Sequence, residues 1–205
     1  KNYLSSVTAL PHIICMQETF LKPKRNFKLD NYIIIRRDRL TDNKGGVATC
    51  IRTDLNFKEL ARPVETECLV VEVLFNNLKI KVANVYNTPN NNINVAEYTS
   101  LLSGTGVVLT GDLNGHNPLW KSNKLDKTGQ TLQDIFEATN SVVINTGQGT
   151  YQKAGGGMSV LDLTVTSSEL ALKANWSVLN STLGSDHCPT FTVIGEQTDP
   201  EEEFS

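Results

Sequence analysis

Short apolar runs, each bounded by Gly, Pro or Asn, recur at residues 12–16, 32–36, 46–51, 69–75, 79–86, 107–110, 142–145, 161–166, 176–178 and 190–194. Runs of this length, rich in Val, Ile and Leu, predict strands. Helical periodicity is confined to residues 95–102 and 128–139, where Leu132, Ile135 and Phe136 fall on one face between polar positions. A third helix is expected to end near Leu10. Between Phe75 and Leu78 the pair Asn76–Asn77 has the chemistry of a two-residue hairpin turn. Strands this numerous, separated here by helices and there by turns, predict a mixed α/β domain with two packed sheets.

No internal repeat is present, and low complexity is limited to residues 90–94, 155–157 and the acidic end of the chain. The economical division is one domain over residues 1–194 followed by an acidic linker or tail at 195–205. With 205 residues, 39% hydrophobic and 20% charged, the chain has material for one sizeable core. That excludes a disordered polypeptide and a disulfide-stapled mini-protein. Every apolar run is of strand length, so no membrane-spanning helix is expected.

The net charge of −3 conceals an asymmetry. Residues 1–62 carry 12 Lys/Arg against 6 Asp/Glu, whereas residues 63–205 carry 7 against 16. The cations Lys22, Lys24, Arg25, Lys28, Arg36, Arg37, Arg39 and Lys44 form either a phosphate-facing surface or an ordinary solvated face. Cys15, Cys50, Cys68 and Cys188 match no zinc or redox spacing and read as free thiols. Free thiols point to a reducing, intracellular compartment. No signal peptide is expected ahead of the first strand.

The informative acids directly follow or interrupt strand-like runs, where a sheet delivers side chains to a common edge. Glu18 follows Ile13–Ile14–Cys15–Met16–Gln17, and Asp112 follows Val107–Val108–Leu109–Thr110–Gly111 with Asn114 two residues on. Asp162 interrupts the apolar run Val160–Leu161–Asp162–Leu163, and Asp186–His187 precedes the last strand. A carboxylate within an apolar strand is costly unless paired or metal-bound. Hard oxygen donors with a single imidazole and no thiolate suit Mg²⁺, or Mn²⁺, better than Zn²⁺. Such a set fits phosphodiester hydrolysis, with a carboxylate activating water and His187 serving the phosphate.

Five motifs occur in the order of the exonuclease–endonuclease–phosphatase superfamily: Gln17–Glu18–Thr19; Asn84–Val85–Tyr86 with Pro89–Asn90; Gly111–Asp112–Leu113–Asn114; Leu161–Asp162; and Ser185–Asp186–His187–Cys188–Pro189. The ordered set spans nearly the whole chain. A finer resemblance lies in Gly111–Asp112–Leu113–Asn114–Gly115–His116–Asn117–Pro118–Leu119–Trp120, which is similar to a signature of the apurinic-type endonuclease domains of non-LTR (LINE-type, Jockey-like) retrotransposons. The resemblance implies an α/β fold, a four-layer sandwich of two mixed β-sheets flanked by helices. It also implies an Mg²⁺-dependent nick in double-stranded DNA, leaving a 3′-hydroxyl that primes reverse transcription by a covalently linked reverse transcriptase domain.

By that resemblance Glu18 binds metal, Asp112 activates water, and Asn114 contacts the scissile phosphate. Asp162 holds His187 against the phosphoryl oxygen, Asp186 is a second metal-site or proton-network acid, and Tyr86 stabilises the phosphate or leaving group. Asn90 would contact substrate, although Tyr86–Asn87–Thr88–Pro89–Asn90 is one residue longer than the commonest spacing. His116 either shapes the DNA surface with Trp120 or is structural, Trp120 then filling core. Gly155 and Gly156 lie in the hairpin tip of residues 152–159, which in retrotransposon endonucleases flanks the minor groove; the alternative is a plain loop.

The resemblance further implies a strand with a phosphate-site asparagine upstream of the first helix, and the sequence carries no counterpart to it. Three readings follow: a retrotransposon endonuclease acting on nuclear DNA, an abasic-site repair endonuclease or other superfamily phosphoesterase, and a truncated, inactive DNA-binding relative.

Overall fold

The computed structural model describes residues 9–40, 44–75 and 78–195. The helix expected to end near Leu10 and the acidic tail fall almost wholly outside them. Among the described residues thirteen strands run in the order β1 (Ile13–Met16), β2 (Tyr32–Arg37), β3 (Val47–Arg52), β4 (Asn56–Glu59), β5 (Glu67–Phe75), β6 (Leu78–Tyr86), β7 (Val107–Asp112), β8 (Ser141–Val143), β9 (Tyr151–Gln152), β10 (Met158–Ser159), β11 (Asp162–Ser167), β12 (Ala174–Val178) and β13 (Thr190–Ile194). Three α-helices accompany them, α1 (Val95–Leu102), α2 (Lys127–Ala138) and the single turn α3 (Ser168–Ala171). No helix among the described residues is long and apolar enough to cross a membrane.

A six-stranded sheet, ordered β4-β5-β6-β7-β11-β8, forms the centre. It is mixed, because β6 and β7 run parallel across the α1 connection while the other neighbours are antiparallel. Its strands are apolar at successive positions because both faces are covered. Cys68, Val70, Ala83, Val85, Val107, Leu109, Leu163 and Val165 pack on one face against Tyr98, Leu101 and Leu102 of α1 and Leu132, Ile135 and Phe136 of α2. The alternate residues Val71, Val73, Val82 and Val108 meet Ile51, Ile13 and Cys15 of the antiparallel sheet β1-β3-β2 and Ile194 of the β12-β13 hairpin. The expected sandwich is therefore built by period-two alternation within strands that look uniformly apolar.

Local chemistry sets the element ends. Asn94 caps α1 by accepting from the Glu97 amide, and Asp126 caps α2 by accepting from that of Gly129. Phe75 pairs with Leu78, closing the expected β5–β6 hairpin around residues 76–77, which lie outside the described set. Strand β4 has one apolar residue among Asn-Phe-Lys-Glu, so the apolar pattern does not mark it; pairing with β5 at the sheet edge creates it.

Between the two sheets lies Asn84, fully buried, whose side-chain amide donates to the carbonyls of Met16 (3.3 Å) and Ala48 (2.9 Å) and to Thr49 Oγ1 (3.2 Å). Gln17 Nε2 donates to Asn84 Oδ1 at 2.6 Å. This residue ties β6 to β1 and β3 and fixes where the segment carrying Glu18 leaves the second sheet.

Candidate active site

Register delivers the site. Across β5, β6, β7 and β11 the pairs Glu67↔Tyr86, Tyr86↔Asp112 and Asp112↔Asp162 form one row along a single edge of the central sheet. Asp112 and Asp162 are thus direct cross-strand neighbours. Asp112 is buried, at 5% exposure. Gly111 makes this packing feasible: a Cβ there would lie 1.9 Å from the Val85 carbonyl oxygen, at a φ of +147°.

His187 closes the row from the segment before β13. Its Nδ1 lies 2.7 Å from Asp162 Oδ2 and its Nε2 lies 4.0 Å from Asp112 Oδ2. The ring is seated by an isolated bridge with Tyr151, whose ring centroid is 4.9 Å away, and by backbone donation from Cys188 to the Thr150 carbonyl at 2.7 Å. Buried Thr150 also accepts, on Oγ1, from the amides of Leu161 and Asp162, both at 3.1 Å. One residue thereby holds both partners of the Asp162–His187 pair.

The electrostatics follow from this geometry. Burial first, and then the neighbouring Asp162 charge, push the Asp112 carboxyl up to about 7, against the lowering effect of His187 and of the Asn114 hydrogen bonds. Burial works to lower His187, but the Asp162 hydrogen bond and the charges of Asp162, Asp112 and Asp186 outweigh it and push the imidazole up to about 9. Near neutrality the site holds an imidazolium between two carboxyl groups. Asp112 titrates there.

Asn114 braces Asp112. Its backbone amide donates to Oδ1 at 3.2 Å, and its Nδ2 donates to Oδ2 and to the Asn87 carbonyl, each at 2.9 Å. A left-handed φ of +47° makes this return possible.

On the other flank the Tyr86 hydroxyl donates to Glu18 Oε1 in a short contact. Burial, together with the hydrogen bond and charge of Glu18, raises the phenol well above its ordinary value, so it remains the donor. Glu18 stands on strained backbone, with φ of +46° and of +51° two residues later at Phe20. The strain is held by donation from the Thr19 and Phe20 amides to the Gly46 and Gly45 carbonyls, while the Gly46 amide donates to Glu67. Glu67 also accepts from Arg39 Nε at 2.9 Å, and the Arg39 guanidinium lies 5.6 Å from the Tyr86 ring centroid.

Not every expected residue joins this group. Asp186 is exposed beside His187, its backbone carbonyl accepting from the Gln152 amide. Asn90 lies outside the row, in the loop after Tyr86 at φ +62°. His116 sits with Nδ1 2.8 Å from Asp126 Oδ2 at the α2 cap, and Trp120 is fully buried, donating from Nε1 to the Gly115 carbonyl at 3.1 Å. Gly155 and Gly156 are exposed at the tip of the β9–β10 hairpin, with nothing within 4 Å of either. Arg39, Glu67, Asn87 and Thr150 support the site without any local signal that singles them out.

Among the described residues no group of three or more His, Cys, Asp and Glu is arranged to enclose a metal. Glu18 offers Oε2, which has no protein partner among the described residues. One carboxylate oxygen at the rim of a phosphate-sized site fits an ion that keeps most of its water and binds substrate phosphate, the habit of Mg²⁺.

A family profile described as endonuclease–reverse transcriptase matches residues 80–191. The chain belongs to this endonuclease–reverse transcriptase family. The match takes in Tyr86, Asp112, Asn114, Asp162 and His187. Among solved structures, the endonuclease domain of TRAS1, a telomere-specific non-LTR retrotransposon, is similar over 89% of this chain and 85% of that one, with a TM-score of 0.76 at 18% identity. An endonuclease/exonuclease/phosphatase family protein from Leptotrichia buccalis C-1013-b covers 90% and 87%, with a TM-score of 0.64 at 16% identity. TDP2 from C. elegans covers 89% of this chain and 64% of that one, at 0.52 and 13%. No curated protein matches in sequence. The fold of this family member is that of the exonuclease–endonuclease–phosphatase superfamily, in its LINE-type endonuclease form.

Proposed function

We propose that this family member nicks double-stranded DNA with the help of a divalent metal, leaving a 3′-hydroxyl from which a linked reverse transcriptase domain primes synthesis on nuclear DNA. The observation that carries the reading is the Asp112–His187–Asp162 constellation at the edge of the central sheet. Asp112, poised near neutrality, accepts a proton from the attacking water, and Asn114 keeps the carboxylate aimed. As the water oxygen bonds to phosphorus, the bond to the 3′-oxygen breaks and that oxygen takes up a proton. His187, kept as an imidazolium by Asp162, donates a hydrogen bond to the charged phosphoryl oxygen.

Glu18, fixed by Tyr86, would hold Mg²⁺ or Mn²⁺. The bound ion supplies offsetting charge for the phosphoryl and leaving oxygens. Asp186 adds negative charge beside His187. The β9–β10 hairpin leaves the site directly from Tyr151, which supports a role for its glycine tip, Gly155 and Gly156, against the DNA backbone.

The test is conversion of supercoiled plasmid to open circle in Mg²⁺, followed by polymerase extension of the nicked ends. Nicking abolished by EDTA, by Asp112→Ala and by His187→Ala, with extendable ends, supports the reading. Absence of nicking, or ends that a polymerase cannot extend, overturns it.

A further inference from the structure

Beside the catalytic row, on the far side of Tyr86, the start of β5 and the loop 87–94 enclose a cleft of about 560 Å³. Its walls include Arg39, Glu65, Glu67, Tyr86, Asn91 and Tyr98, and Asn90 stands in the same wall. The volume falls within the range of small-molecule sites. It exceeds what one phosphate oxygen or one side chain needs.

Two independent features say what the cleft suits. Tyr98, on α1, is 2% exposed, and its hydroxyl has no hydrogen-bond partner. A buried hydroxyl left unpaired is unfavourable and gains from a ligand that supplies an acceptor. The second feature is charge. Glu65 and Glu67 face one cation, Arg39, whose guanidinium already binds Glu67 and Thr88 Oγ1 and lies over Tyr86. Such a cleft repels a phosphate and offers carboxylate and amide oxygens to a neutral, flat ligand that carries N–H donors. Asn and Glu side chains are the usual partners of the amino groups of adenine and cytosine.

We infer that this cleft receives a nucleobase bearing an exocyclic amino group, from a nucleotide flanking the scissile phosphate, with Glu65 and Asn91 accepting from the amino group and Tyr98 donating to a ring nitrogen or carbonyl. The inference rests on the DNA-nicking reading and adds to it a source of sequence preference. Tyr86 links the two sites, since its hydroxyl holds Glu18 on one side and its residue forms a wall of the cleft on the other. A base enters only when unpaired or drawn out of the stack, so the step favours distorted or weakly stacked DNA.

The experiment is a series of duplexes, each with one 2-aminopurine at a different position, titrated with the protein in EDTA so that nothing is cleaved. The expected result is a severalfold fluorescence rise at one position, lost in the double variant Glu65→Gln, Asn91→Ala and reduced in Tyr98→Phe, with duplex binding by anisotropy retained in all three. Glu65 and Asn91 are exposed, so their replacement leaves the core intact. No rise at any position, or a rise unchanged in the double variant, overturns the inference. Mg²⁺ is then added to the same mixtures: a rise without nicking leaves the base site standing and removes the endonuclease reading, whereas nicking without a rise does the reverse.

Discussion

Asp112 and Asp162 face one another as a cross-strand pair between β7 and β11, and His187 lies against both, 2.7 Å from one carboxylate and 4.0 Å from the other. Like charges this close disfavour each other's ionisation, while a cation between them favours it. The pair therefore separates into roles: Asp162 is committed to the imidazole, and Asp112 is left to titrate near neutrality.

Replacing Asp112 with Asn, or His187 with Ala, is expected to lower plasmid nicking by about 10²–10⁴-fold, the span of a lost general base or acid. Asp112→Asn should keep or raise the melting temperature, because it removes a buried charge that Asp162 opposes. A fall in both activity and melting temperature would make Asp112 a structural residue instead.

The nicking rate should follow a bell-shaped pH profile, rising as Asp112 ionises through about 7 and falling as His187 loses its proton through about 9. In Asp162→Asn the hydrogen bond and charge that raise His187 are gone while burial still lowers it, so the alkaline limb moves to lower pH. Stability has its own sign. Both folded-state values lie above the ordinary ones, so what each group contributes is complete below its ordinary value and is lost as pH rises through about 7 and about 9. Melting temperature measured from pH 6 to 10 should fall across that window, and a rise would contradict the assignment.

Glu18→Gln should raise the Mg²⁺ concentration for half-maximal nicking strongly. Tyr86→Phe, which frees Glu18 without removing it, should shift it by about 10–100-fold, as outer ligand contacts do. Titration of Mg²⁺ at fixed DNA reads both, and an unchanged requirement in Glu18→Gln places the ion elsewhere.

Gly111→Ala should prevent folding or cost more than about 3 kcal/mol, since its methyl would overlap the Val85 carbonyl at 1.9 Å. Gly156→Ala, with open space around it, should cost only the left-handed backbone penalty of about 1–2 kcal/mol. Urea unfolding of both variants separates close strand packing from loop conformation.

Much of the framework is legible along the chain. The helix over 95–102 is found at those bounds, the strand runs recur within a residue or two, and the five motifs supply the residues that meet at the sheet edge. Strand β4 is not legible, because an edge strand needs little apolar content. Nor are Arg39, Glu67 and Thr150, whose roles come from partners 28, 49 and 11 or more residues away. A lone Arg, Glu or Thr carries no periodic or spacing signal for such partners.

What the sequence by itself determined is the list of chemical groups and the strands that carry them, because apolar runs and turn residues act locally. Tertiary structure decided which groups touch. Antiparallel register set Asp162 opposite Asp112, parallel register set Tyr86 beside it, and the sheet-to-sheet bonds of Asn84 brought Glu18 within reach of Tyr86. A shift of one residue in either register would turn these side chains to the other face of the sheet. The site exists because long-range strand pairing settles that parity, which no stretch of chain does alone.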